Sequence, residues 1–187
     1  MFNVRVDDDI VVRMFQMSEA EAIYNLVDQS RDYLREWLPW VDYITGPEQY
    51  DAFIQQSFEQ YNNQKGLTAG IFYRGELAGV TGFNELDAQH RIAKIGYWIG
   101  VQYQGQGIMT RVVEKLIDYA FNDLDFNRVE IRAAVANHKS RAIPERLGFT
   151  EEGTIRDAEW LYDHYVDHVI YGILASEWRQ DVTNFGE

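Results

Sequence analysis

Cysteine is absent from this 187-residue chain. That removes disulfides, thiolate metal sites and cysteine nucleophiles together. It fits a reducing compartment, so a cytoplasmic location is expected. Proline occurs only three times, at positions 39, 47 and 144, and no Pro/Gly/Ser-rich linker, repeat or low-complexity tract interrupts the chain. One domain over residues 1–187 is the expectation. No window approaches about 18 uncharged apolar residues, so no membrane-spanning helix is expected. The opening "MFNVRVDDDIVVRMF" lacks the basic segment and long apolar run of a secretory leader. Positive charge is scarce too: 17 Lys and Arg stand against 30 Asp and Glu, a formal net charge of −13. Such a surface repels nucleic acid phosphates and anionic lipid. It either serves solubility alone or favours a cationic partner such as a peptide amine or a basic protein.

What the chain does have is apolar and aromatic residues, 46% and 14% of the total, enough for a substantial core. Residues 10–15, "IVVRMF", predict a strand. Ser18 with Glu21 predicts a capping box opening a helix over about 19–29. A second helical piece over 31–37 is broken by "WLPW", and Pro47 begins another helix running to about 62. Strands are predicted at 67–74 and 77–84, joined by a tight turn at Gly75, and at 91–100. Apolar residues at 108, 112, 113, 116, 117, 120 and 121 form one helical stripe. A strand (128–135), a short helix (138–147) and two last strands (149–157 and 165–174) follow. The fold class is therefore α/β (α+β): a mixed, mostly antiparallel sheet of about seven strands with helices packed on it.

The stretch "GYWIGVQYQGQGIMT" places two glycines between a strand and a helix. A helix N-terminus presents unpaired N–H groups and partial positive charge, and glycines let the backbone approach an anion closely. The loop can thus hold a phosphate or pyrophosphate, or serve as a plain strand-to-helix turn. It is not a P-loop, because the lysine and following Ser/Thr are missing. It is not a dinucleotide fingerprint, because the third glycine is missing and antiparallel strands precede it. A second signal is "VANHKSRAIPERLGF", which sets Asn137 and Ser140 at the end of the neighbouring strand. Asn137 there is either a helix N-cap or part of a ligand edge.

Together these stretches resemble the GNAT superfamily of N-acetyltransferases, and within it the bacterial enzymes that acetylate the N-termini of ribosomal proteins. The superfamily's pyrophosphate motif, [QR]xxGx[GA], reads here Gln104-Gly105-Gln106-Gly107-Ile108-Met109, with Met at the last position. "REWLPW", "IGYWIG", "LGFTEEG" and "AEWLYDHYVDHVIYG" extend the resemblance over most of the chain. It implies a GNAT fold with helices on both faces of a twisted sheet. It further implies acetyl-CoA as cofactor, with direct attack of a primary amine on the thioester. Backbone amides from Gly105 to Thr110 would hold the pyrophosphate. Tyr97, Trp98 and Ile99 would splay from the next strand and pair their backbone with the pantetheine arm. Asn137 and Ser140 would lie beside the pantetheine and sulfur. Ser140 would hydrogen-bond the departing thiolate, since the tyrosine that much of the superfamily carries seven residues after the Asn is replaced by Pro144. Glu159, in "AEW", matches a glutamate that acts through water on the incoming amine. Asp157 and Asp163 are weaker substitutes, and a solvated strand-end carboxylate is the alternative. A base matters because an N-terminal amine is only about a tenth neutral at pH 7, and a lysine-like amine roughly one part in several thousand.

Tyr33, Trp37 and Trp40 either line a slot for the acceptor or belong to the core. Arg128, Arg132, Lys139 and Arg141 either neutralise the coenzyme's 3′-phosphate or are solvated. His164 and His168 are four apart, but on a strand that spacing is too long for one metal, so no metal is expected. The favoured acceptor is the α-amine of a protein N-terminus. The alternatives are a small-molecule amine (a polyamine, aminoglycoside or toxin) and a non-enzymatic acyl-CoA sensor. A homodimer is plausible on the resemblance.

Overall fold

The computed structural model describes residues Met1–Trp178. Its strands form one sheet in the order β1-β2-β3-β4-β5-β6-β8-β7. They are β1 Asn3–Arg5, β2 Ile10–Arg13, β3 Leu67–Tyr73, β4 Glu76–Asp87, β5 Ile92–Ile99, β6 Arg128–Ala134, β7 Thr150–Leu161 and β8 His164–Leu174. The helices are α1 Ala20–Gln29, α2 Arg31–Leu34, α3 Gln49–Asn62, α4 Ile108–Asp118 and α5 His138–Arg146. Every neighbouring pair is antiparallel except β5 with β6. The expected strand count of about seven is one short. The extra strand, β1, has three residues paired only to β2, too few for an alternating pattern to show.

Two apolar clusters flank the sheet. One gathers Ile23, Val27 and Leu34 of the first helices with Ile54 of α3 and Val80 of β4. The other joins Val112, Val113, Leu116 and Ile117 of α4 to Ile95, Ile131, Val169 and Tyr171 of the strands. The apolar stripe read from the sequence after residue 107 is this buried face of α4, continued by Ala120 and Phe121 in the π-helical turn Tyr119–Asp123. The expected capping box at Ser18 and Glu21 lies two residues earlier instead. Glu19 accepts the Gln16 N–H at 2.7 Å and an Arg13 guanidinium N–H at 2.6 Å, so a 3₁₀ turn, Met17–Glu19, leads into α1.

Two irregularities shape the site. β5 and β6 pair from Ile92↔Arg128 to Ile95↔Ile131 and then part. β5 continues on β4 (Trp98↔Val80), and β6 continues on β8 (Ala134↔His168). Gly100 N–H donates to Ala78 O of β4 at 2.7 Å. By strand alternation the N–H and C=O groups of Tyr97 and Ile99 therefore face the opening. The second irregularity is in the β7–β8 hairpin, where the register slips between Ile155↔His168 and Glu159↔Val166. The slip includes Asp157, at φ 48°, whose N–H donates to Asp167 Oδ1 at 2.8 Å. At the hairpin tip the Tyr162 hydroxyl donates to Arg35 O, just past α2. The β7–β8 tip thus rests on the α2 segment.

Candidate active site

The opening between β5 and β6 leads to the glycine loop. Gly105 and Gly107 adopt φ of 70° and 69°, the left-handed region that other residues occupy only at a cost. A Cβ built on either meets nothing within 4 Å, so both glycines border open space. The first amides of α4, at Ile108, Met109 and Thr110, have no partner in a preceding turn and point along the positive end of the helix. An anionic linker fits such a cradle, and a side chain on either glycine would project into it. Met109, the departure from the motif, buries its side chain in the main core with 6% exposure, so its length is absorbed there.

A cavity of about 900 Å³ runs from this loop along the opening. Its walls bring together Tyr33 and Trp37 of the α2 segment, Tyr97, Trp98 and Ile99 of β5, and Gln104, Gly105, Gly107, Ile108, Met109 and Thr110 of the loop and α4. Asn137 and Ser140 close it at α5. Gln106 is not in the wall, and its side-chain amide donates to Gln102 O at 3.1 Å. Asn137 caps α5, its Oδ1 accepting from Ser140 N–H at 3.3 Å. Asn137 is thus the N-cap of α5 and at the same time part of the cavity wall. Tyr97 crosses the opening and donates its hydroxyl to Ser140 O at 2.8 Å. Burial, with Tyr171 nearby, pushes the Tyr97 phenol well above its ordinary range, so it acts as a brace. The Thr110 hydroxyl accepts from the Arg146 guanidinium at 2.6 Å.

The basic residues sort clearly. Arg128 donates to both carboxylate oxygens of Glu152 (2.7 and 2.6 Å), and Arg128 and Arg132 clamp Glu130 (3.0 and 2.6 Å). Burial alone would raise the Glu130 pKa, but the two guanidinium hydrogen bonds hold it below its ordinary value. Arg141 is tied to Tyr171 Oη and Val135 O. Lys139 lines the cavity with its ammonium 5.4 Å from the centre of the Tyr33 ring. Sequence reasoning missed Arg111 and Arg146, which also line the cavity. No local pattern marks them, because the way α4 packs against α5 decides which side chains reach the wall.

Trp40 stands apart from the large cavity. It packs on Trp98 with ring centroids 6.3 Å apart. It lines a second pocket of about 350 Å³, which shares Tyr97 and Trp98 with the large cavity and has Tyr50, Phe53, Thr68, Thr81 and Asn84 among its other lining residues. No residue of that lining carries a charge. Glu159 is in neither wall; it projects from β7 with its side chain 38% exposed. His164 Nδ1 sits 2.7 Å from Asp163 Oδ1. Among the described residues no three potential metal ligands cluster, and no helix is long and apolar enough to cross a membrane.

A strand pair that parts beside a glycine cradle at a helix end is the layout of an acyl-CoA-binding acetyltransferase. Comparison with known proteins gives the class its name. The model of the acetyltransferase (GNAT) domain matches residues 9–150, and the chain belongs to that family. It is an acyltransferase that uses acetyl-CoA. A protein of Bacillus subtilis (strain 168), provisionally named ribosomal N-acetyltransferase YdaF, is 40% identical over 180 residues, 96% of this chain and 98% of that one. The structure of RimL, a ribosomal L7/L12 α-N-protein acetyltransferase in complex with coenzyme A, superposes with a TM-score of 0.88. It is 29% identical and covers 92% of this chain and 98% of that one. The microcin C7 self-immunity acetyltransferase MccE, in complex with acetyl-CoA and AMP, gives a TM-score of 0.87. It is 32% identical, with 91% and 95% covered.

Proposed function

We propose that this protein acetylates the N-terminal α-amine of a protein, with a ribosomal protein as the favoured acceptor, in the cytoplasm. The observation that carries this reading is the uncharged second pocket beside Trp98. A polyamine or aminoglycoside carries several ammonium groups, and desolvating them needs carboxylates around the site. A peptide terminus brings one amine and neutral side chains, which suit aromatic walls with Thr and Asn groups among them. RimL, named for ribosomal L7/L12, and the provisional name of the Bacillus protein support the same acceptor class.

In this reading the amides from Gly105 to Thr110 hold the pyrophosphate, and the main chain of Tyr97 and Ile99 pairs with the pantetheine arm. Bound acetyl-CoA supplies an activated acyl carbon. Tyr33, Trp37 and Trp40 align the acceptor. Glu159, through water, takes the proton that the amine loses as nitrogen bonds to that carbon. The C–S bond breaks, and the Ser140 hydroxyl hydrogen-bonds the sulfur as it leaves with the electron pair.

The deciding experiment offers one acetyl-CoA concentration with a panel of acceptors: peptides with free N-termini, spermidine and an aminoglycoside. The expected result is turnover on peptides and little on the polycations. Preference for spermidine would transfer the assignment to a small-molecule acetyltransferase.

A further inference from the structure

His168 is a residue that the reading above leaves unused. It lies on β8, opposite Ala134 of β6 on one side and Ile155 of β7 on the other. Its Nε2 is 3.5 Å from Glu159 Oε2, and its side chain is 20% exposed. The two residues come together because of the β7 irregularity. Without it, regular pairing from Ile155↔His168 would set Asp157, not Glu159, against Val166. The slip moves Glu159 into that position, two residues from His168 on the same face of β8.

The sheet register says which face this is. Ile95, Ile131 and Tyr171 are successive cross-strand partners and so share a face, and the Tyr171 hydroxyl reaches Glu145 of α5. His168 is three residues from Tyr171, and Trp98 is three residues from Ile95, so both project to the opposite face. That is the side on which Trp98 meets Trp40. Ala134, level with His168, is three residues beyond Ile131, and Trp98 is three beyond Ile95. His168 therefore stands level with Trp98 across the opening, on one arm of the hairpin whose tip is pinned to Arg35 by Tyr162.

We propose that His168 is a positioning residue for Glu159: it holds the carboxylate over the acceptor side of the opening between β5 and β6. An Nε2–H donated to Oε2 fixes one carboxylate oxygen and leaves the other to take the proton from water. At 3.5 Å the contact is long, as such contacts often are before substrates bind. The inference rests on Glu159 being the base.

The test compares H168A, H168Q, E159Q and the E159Q/H168A double variant on a peptide acceptor, with unfolding midpoints measured in parallel. The expected result is kcat lowered about tenfold or more in H168A, with the acetyl-CoA KM unchanged. H168Q, whose amide also donates, keeps most of the activity. The double variant is no slower than E159Q alone. Wild-type kcat in H168A, or a further full loss in the double variant, with E159Q itself impaired, overturns the positioning role and leaves the acetyltransferase reading intact. Wild-type kcat in E159Q removes Glu159 from the mechanism and the inference with it. If H168A lowers the unfolding midpoint, H168Q carries the test, and a tenfold kcat loss in a stable H168Q counts against the proposal.

Discussion

The two sides of the β5–β6 opening are built from different material. The coenzyme side is main chain: two left-handed glycines, the first amides of α4 and the β5 backbone. In the proposed reading the acceptor side is side chain: Trp37, Trp40 on the 3₁₀ turn Pro39–Tyr43, and Glu159 on a hairpin whose register slips. A main-chain cradle depends on backbone conformation and survives most substitutions around it. A side-chain slot changes with every residue. If the proposed roles hold, substitutions near the acceptor slot change the choice of amine more readily than they change coenzyme binding.

Substitutions on each side sharpen this contrast. Glu159→Gln is expected to lower turnover by about 10² or more while calorimetric acetyl-CoA affinity stays put; equal rates from pH 6 to 9 would break the assignment. Gly107→Val should act the other way round, weakening coenzyme binding by at least about tenfold. It forces a branched residue to φ 69° at roughly 1–2 kcal/mol and fills the cradle. Unchanged affinity by titration calorimetry would show that the loop is only a turn. Trp40→Ala is expected to raise the acceptor KM several-fold and spare the acetyl-CoA KM, since Trp40 lines only the second pocket; a coenzyme KM that moved instead would place the slot wrongly.

Smaller effects concern the frame. The Glu130 carboxyl is held below its ordinary value in the folded protein, so its clamp stabilises above the unfolded pKa. That contribution is lost as pH falls through the lower folded value. Acid unfolding followed by circular dichroism should therefore show less pH sensitivity for Glu130→Gln below about pH 4.5. Tyr97→Phe, which removes only the brace to Ser140, should cost about 1 kcal/mol in denaturant unfolding.

The same division governs what could be read in advance. The glycine loop, the α4 stripe and the strands of the central sheet are local patterns, and each lies where its pattern places it. The parting of β5 and β6 followed from the family resemblance rather than from any local signal. β1 was too short to show a period. The capping residues slid from Ser18 to Gln16 because Glu19 is drawn into an ion pair with Arg13 from the preceding strand. The partnership of Glu159 with His168 depends on a register slip that no alternation pattern reveals. His164 and His168, read as too far apart on a strand to share a metal, each stand beside a carboxylate, Asp163 and Glu159, and the pairing with Glu159 does not show in the spacing.

The missing rungs of the sheet have a thermodynamic consequence. The outward-facing main-chain groups of Tyr97 and Ile99 gain a regular partner only when something extended lies alongside them. Whatever does so binds the native chain and not the unfolded one, adding about 2.7 kcal/mol when present at a hundred times its dissociation constant. With acetyl-CoA in that role, as proposed, the midpoint of thermal unfolding is expected to climb with the concentration of the acyl donor.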